Sequence, residues 1–297
     1  MKKIFILAIA VFAAFAATAQ VKTTDYDNFS FKGISIDDDF VVTLSTGPEY
    51  RVSVQAESPY MQYIKVGVSA GVLEISLDDR AVPSEVKKLY KGAKPVFSAT
   101  VVTPEPLKSY KLEGKSVLTI SGEISLDDAV SIKIGDNAEL KPATIVSRSC
   151  SIELDKKAVA DVTFNGDKIT VAASGSASLN LTRESSESDI ALSGSSNLVM
   201  RGKSETMKIS AKGTSKAALN GETKEVEYSL GGTSNINAIG LATKNAAVTM
   251  SGLCTLTEAA SNKLKINISS GANLVFDGKP EIEVESIKNS SVTHYSN

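Results

Sequence analysis

From about residue 110 onward, apolar and polar residues alternate with a period of two, and the alternating block itself recurs about every 19 residues. The recurrence is plainest in Asp189 to Gly202 (DIALSGSSNLVMRG), Met207 to Gly221 (MKISAKGTSKAALNG) and Val226 to Gly240 (VEYSLGGTSNINAIG). With the residue before each small polar turn as position zero, the zero column reads Gly114, Asp136, Lys156, Gly175, Gly194, Gly213, Gly232, Gly252 and Ser270. Four residues earlier stand Tyr110, Ile132, Ile152, Val171, Ile190, Ile209, Tyr228, Val248 and Ile266. Four residues later stand Leu118, Leu140, Ala160, Leu179, Leu198, Ala217, Ile236, Leu256 and Leu274. Two residues after zero, only Ala, Ser or Cys occurs in all nine coils. Even offsets are apolar or small and odd offsets are mostly polar, which is the side-chain alternation of a β-strand with one buried face. A helix would space its apolar residues by three and four, and no such stripe occurs.

One such unit cannot bury its own face, but stacked copies bury a continuous core. Neighbouring coils would lie roughly 4.8 Å apart, making nine of them a rod of about 40 Å. The connections are too short for helices, which excludes βαβ units. The pattern predicts an all-β parallel β-helix, or β-solenoid, with about 19 residues per coil over residues 111–297 and a cap at its C-terminal end. An antiparallel barrel or sandwich is the alternative, but it would not require columns held in register coil after coil. Glycine in the zero column suits a bend with positive φ or close backbone approach. The small column fits an inward corner with little room.

Residues 20–110 differ in character. Between residues 25 and 110 lie ten of the fourteen aromatic residues that follow residue 19, and strand-like runs recur between turn signals such as Thr46-Gly47-Pro48-Glu49. Pro83-Ser84-Glu85, followed by Val86 to Lys91 and Gly92, predicts one short helix. This part is either a set of irregular coils or a separate β cap. An open solenoid end is an unpaired strand edge that must be covered. At the other end, alternating carboxylates in Pro280-Glu281-Ile282-Glu283-Val284-Glu285 would discourage edge pairing.

Residues 1–19 have the layout of an export signal: Lys2 and Lys3, an apolar run from Ile4 to Phe15, and Ala17-Thr18-Ala19 before Gln20. No second apolar span follows, so no transmembrane segment is expected. Without Lys2 and Lys3 the net charge moves from −2 to −4, an acidity unsuited to nucleic acid. Two cysteines in an exported chain invite a disulfide. The register instead separates Cys150 and Cys254 by about five coils, roughly 25 Å, so both are expected as free, buried thiols.

Phe31-Lys32-Gly33-Ile34, the run FVVTLSTGPEYRVSV (Phe40 to Val54), GVLEISL (Gly71 to Leu77), and TPEPLKSYKLEG (Thr103 to Gly114) followed by repeated SGSS-type turns resemble the "putative auto-transporter adhesin, head GIN domain" family. The Gly-Ile-Asn that names the head falls on Gly33-Ile34-Ser35, a departure at the third position. The resemblance implies an exported bacterial protein built on a right-handed β-helix. It supplies no catalytic residues and no cofactor.

Candidate chemistry is sparse. His294, the sole histidine, lies near the C-terminus, where fraying would unfit it as a base. Asp37-Asp38-Asp39, Asp78-Asp79 and Asp127-Asp128 sit where turns are expected, which accounts for them better than calcium does. A polysaccharide lyase or hydrolase would need aligned outward acids. Glu139, Glu153, Asp155 and Asp161 are confined to two coils and do not align. Glu258 falls in an inward column with Ile120, Val162, Leu181, Met200 and Leu219. A local bulge should turn it outward, since an unpaired buried charge is expensive. The outward ladders are instead Ser176, Ser195, Thr214 and Thr233, with Asn197 and Asn235 two positions further on. These six residues, with Tyr60 and Tyr63 in the proline-bounded stretch Ser58 to Tyr63, are the candidate partner contacts. The expectation is an exported, non-enzymatic interaction module at the cell surface or in the periplasm, adhesin-like towards a glycan or protein. A carbohydrate-active β-helix enzyme and a purely structural spacer are the alternatives.

Overall fold

A turn that the chain makes the same way in every coil sets the architecture. In the computed structural model, which describes residues 20–27, 29–90 and 95–295, all nine zero-column residues have positive φ, from 54° at Lys156 to 108° at Gly252. The expected export signal at residues 1–19 and the expected helix end at Gly92 lie outside the described residues. From Gly114 to Gly232 the N–H after the zero residue donates to the zero carbonyl of the coil stacked before it: Ser195 to Gly175 at 2.6 Å, Thr214 to Gly194 at 2.7 Å, Thr233 to Gly213 at 2.8 Å. The inter-coil ladder therefore continues through the turn in these coils. A Cβ on Gly194 would stand 2.7 Å from the Gly175 carbonyl oxygen, which explains the preference for glycine at this bend.

The strands between the turns are β10 (Glu123–Ile134), β11 (Glu139–Leu154), β12 (Val159–Ala173), β13 (Ser178–Leu192), β14 (Asn197–Ala211), β15 (Lys216–Gly232), β16 (Asn235–Gly252) and β17 (Thr255–Ser269). Each pairs in parallel with the next, so that Leu179 lies beside Leu198 and Leu198 beside Ala217. The result is a β-solenoid of about 10 turns, about 19 residues apart. Leu198, Ile190, Leu179 and Leu256 are fully buried, as are Ala138, Ala158, Ala177 and Ser196 in the small column. Burial of each large side chain contributes about 1.5–3 kcal/mol, repeated coil after coil.

The N-terminal part holds β1 (Val21–Tyr26), β2 (Gly33–Ile36), β3 (Val41–Thr46), β4 (Arg51–Glu57), α1 (Ser58–Met61), β5 (Ile64–Ser69), β6 (Val72–Leu77), α2 (Ser84–Leu89), β7 (Phe97–Thr103), β8 (Ser109–Leu112) and β9 (Val117–Ser121). β2 and β3 pair in parallel with β8 and β9 on one side, Ile34 beside Tyr110 and Val42 beside Leu118. On the other side they pair in parallel with β6 and β7. Asp38, between β2 and β3, has φ of 64° and makes the same turn as the zero column. Its Oδ2 accepts the Leu77 N–H at 2.7 Å. The stacking order thus departs from chain order: residues 33–46 are inserted between residues 72–103 and residues 109–121. β4 then runs antiparallel to β7, β1 antiparallel to β4, and β5 antiparallel to β6, at the outer edge of the stack.

The far end is built differently. β18 (Asn273–Asp277), β19 (Glu281–Lys288) and β20 (Ser291–His294) continue the parallel ladder, Leu264 beside Ile282 and Ile266 beside Val284. They add a further coil rather than a cover. Ile282 is 47% exposed, Val284 53% and Ile287 43%. Cys150 and Cys254 are free and buried, and burial pushes the Cys150 thiol up to about 12.

Candidate functional site

All six ladder residues, Ser176, Ser195, Asn197, Thr214, Thr233 and Asn235, are exposed and lie on consecutive coils. The solenoid places them there because odd offsets point away from the core. Part of their hydrogen-bonding capacity is used within the ladder. Ser195 Oγ meets Thr214 Oγ1 at 2.8 Å, and Thr233 Oγ1 donates to the Gly213 carbonyl at 3.2 Å. The result is a flat, pre-ordered polar strip.

Tyr60 is not part of any such surface. It is 4% exposed, edge-on to Tyr90 at 5.2 Å and to Phe97 at 5.3 Å. Buried in the aromatic cluster at the N-terminal end, Tyr60 has almost no surface to offer a partner. Tyr63 is half-buried beside it.

The column register contains charges that reading the small residues alone overlooks. Opposite charges 19 residues apart meet across adjacent coils: Lys168 with Glu187 at 2.8 Å, Lys203 with Glu222 at 3.2 Å, Lys224 with Glu205 at 2.5 Å, Lys208 with Glu227 at 3.9 Å. Outward carboxylates are thus more numerous than the four singled out above, but they stand beside lysines rather than beside one another. Hydrogen bonding to Lys224 holds the Glu205 carboxyl below its ordinary value, the opposite of what a general acid needs. Two of these pairs rim a groove of about 810 Å3 whose floor is the buried column Ser204, Thr223, Thr243 and Ala260.

Burial displaces two carboxyls towards neutrality, the turn residue Asp38 and, inside the core, Glu258. Glu258 is fully buried, contrary to the expected outward bulge, and the Tyr228 hydroxyl donates to its Oε2 at 2.5 Å. The irregularity falls one residue later, where β16 has three residues, Ile239 to Leu241, with no partner in β17. Glu258 is the one acid in its apolar column, and Tyr228 reaches across the core to hydrogen-bond one of its oxygens, while Oε1 has no partner. Burial raises the Glu258 carboxyl to about 7, against about 4.3 for an unperturbed glutamate. Between those values the folded chain retains a proton that the unfolded chain has released. Stability from this group is therefore fully present below about pH 4.3 and is lost as pH rises through about 7. The thermal midpoint is expected to fall between about pH 5 and about pH 8, and Glu258→Gln to flatten that fall. An undiminished slope in the variant would place the titration elsewhere. A second buried ionic group, Arg183, is 1% exposed and meets Met200 Sδ at 3.3 Å and Met207 Sδ at 3.7 Å. Desolvation lowers it to about 10. Neither buried group is open to a substrate.

The remaining candidates serve structure. His294 lies on β20 rather than in a frayed tail, its ring 4.9 Å from that of Phe276 and its Nε2 2.8 Å from the Gly278 carbonyl oxygen. Asp37 and Asp38 hold the first turn, Asp79 pairs with Lys87, and Asp128 pairs with Lys108. Among the described residues, no cluster of three potential metal ligands and no helix long and apolar enough to cross a membrane is present.

The family described as "putative auto-transporter adhesin, head GIN domain" matches residues 30–195 and 151–280, and the chain belongs to it. Two solved structures share the solenoid fold. A "putative adhesin" from Parabacteroides merdae is 16% identical with a TM-score of 0.51. A "putative lipid binding protein" from Parabacteroides distasonis is 15% identical with a TM-score of 0.50. In each case 93% of this chain and 97% of the other is covered. No curated protein matches significantly.

Proposed function

We propose that the chain is an exported, non-enzymatic interaction module that holds an extended glycan or protein partner at the cell surface or in the periplasm. The observation that carries this reading is the exposed strip Ser176, Ser195, Asn197, Thr214, Thr233 and Asn235, which repeats hydrogen-bonding groups at the inter-coil spacing of about 4.8 Å along a rigid rod. A linear polymer lying along the rod would meet the same groups several times, so that weak contacts add. Membership of an adhesin-like family supports the reading, as does the leader pattern of residues 1–19. The pairing of rim carboxylates with lysines weighs against glycoside or lyase chemistry, which needs two acids facing one substrate.

A glycan array combined with a pull-down from envelope extract tests it. Saturable binding is expected, and Asn197→Arg with Asn235→Arg should weaken it about tenfold or more at unchanged thermal stability. Binding that survives the double substitution would move the site to the groove floored by Ser204 and Thr223. No saturable ligand in either experiment would leave the spacer reading in its place.

A further inference from the structure

The two ends of the rod are not equivalent. Antiparallel strands β1, β4 and β5 lie over the N-terminal end, whereas β19 pairs only with β17 and β20 only with β18 among the described residues. The outer edge of β19 therefore carries unpaired backbone groups beside the exposed Ile282, Val284 and Ile287. Each internal coil has its inward columns covered by the next coil. Among the described residues, nothing covers the same half-interface on the last coil.

The charges on β19 select the occupant. Glu283 pairs with Lys263 at 2.5 Å and Glu285 with Lys265 at 2.7 Å, so these carboxylates are neutralised within the chain. Glu281 and Lys288, at opposite ends of the strand, are exposed and form no ion pair among the described residues. Glu285 is the extra residue of a bulge, which puts Ile282, Val284 and Ile287 on the inward face and Glu281, Glu283, Ser286 and Lys288 on the outward face. If this strand is laid antiparallel against its own copy about a two-fold axis near Val284, Ile282 faces the partner's Ile287. Glu281 then faces the partner's Lys288. The match occurs twice by symmetry, as an isologous interface requires.

We infer that the C-terminal coil is a self-association surface, and that two copies of the chain join tail to tail through β19 into one longer rod with a cap at each outer end. The alternating carboxylates do not block this edge, because two of them are already paired and the third has its complement on the second copy.

Sedimentation velocity on the chain purified after export, over about 1–100 µM, should show a monomer–dimer equilibrium, since an edge-to-edge contact of one coil is small. Val284→Lys should leave only monomer while the unfolding midpoint stays near that of the parent. Glu281→Lys alone and Lys288→Glu alone should each weaken the dimer about tenfold, because each disrupts two symmetric cross-strand pairs. The two together should restore it. A single species of monomer mass at all concentrations would overturn the inference. So would a dimer indifferent to Val284→Lys, or a double charge exchange no better than either single one.

Discussion

Leu198→Asp is expected to unfold the central coils, whereas Asn197→Asp, one residue away, should be nearly silent. Leu198 is fully buried and lies between Leu179 and Ala217 in the four-after column, so a carboxylate there would have apolar neighbours above, below and across the core. The cost is several kcal/mol, about 4 or more, because neither water nor a counter-charge can reach it. Asn197 points to solvent beside Lys216, and an acid there changes stability by about 0.5 kcal/mol or less. Stacked repeats need not melt in one step, so the denaturant midpoint should be read together with hydrogen exchange in β13 to β15. Equal effects at the two positions would mean that the inward and outward columns are assigned the wrong way round.

Gly202→Ala is expected to be almost as damaging, for a backbone reason. Gly202 has φ of 110° and Gly221 has φ of 123°. A Cβ on Gly202 would lie 1.8 Å from the Arg183 carbonyl oxygen, and one on Gly221 1.9 Å from that of Gly202. The obstacle is main chain of the adjacent coil, which cannot move without opening the inter-coil ladder. A loss of about 3 kcal/mol is expected at either position from the strained conformation and the displaced coil together. Gly67→Ala is the control: nothing lies within 4 Å of its Cβ position, so the change should stay within about 1 kcal/mol. A Gly202→Ala variant as stable as the Gly67→Ala variant would contradict the coil spacing at this corner.

The regular coils were legible because two periods coincide in them: alternation along a strand and recurrence of the strand. Every residue placed at zero proved to have positive φ, including Asp136, Lys156 and Ser270, which lack glycine's freedom. The N-terminal part was less legible for a specific reason. Ile34, Ile36, Asp38, Phe40 and Val42 repeat the inward pattern around a zero residue, but Phe40 occupies the corner that elsewhere admits only Ala, Ser or Cys. It fits because it packs on Phe97, at 5.4 Å, from a segment more than fifty residues later. No local signal announces such a partner. Tyr60 misled in the same way, since a proline-bounded stretch without alternation gives no sign of which face is buried. The pairing of Tyr228 with Glu258 was within reach. A hydroxyl and a carboxyl in two apolar columns of neighbouring coils explain each other better than either explains itself. The ion-pair ladders were equally open to anyone comparing charges 19 positions apart.

The insertion of residues 33–46 between two later segments has a consequence for how the rod can come into being. A chain threaded through a membrane from its N-terminus cannot lay down its coils in the order in which they emerge. β2 and β3 must wait for β6, β7, β8 and β9 before both their edges are paired, so the first completed structure contains everything up to about residue 121. From there, each further coil adds to a finished template and closes only a short loop, which is entropically cheap. Growth is then one-directional, and so is loss: removing coils from the C-terminus shortens the rod step by step, while removing residues 33–46 empties a layer from its interior.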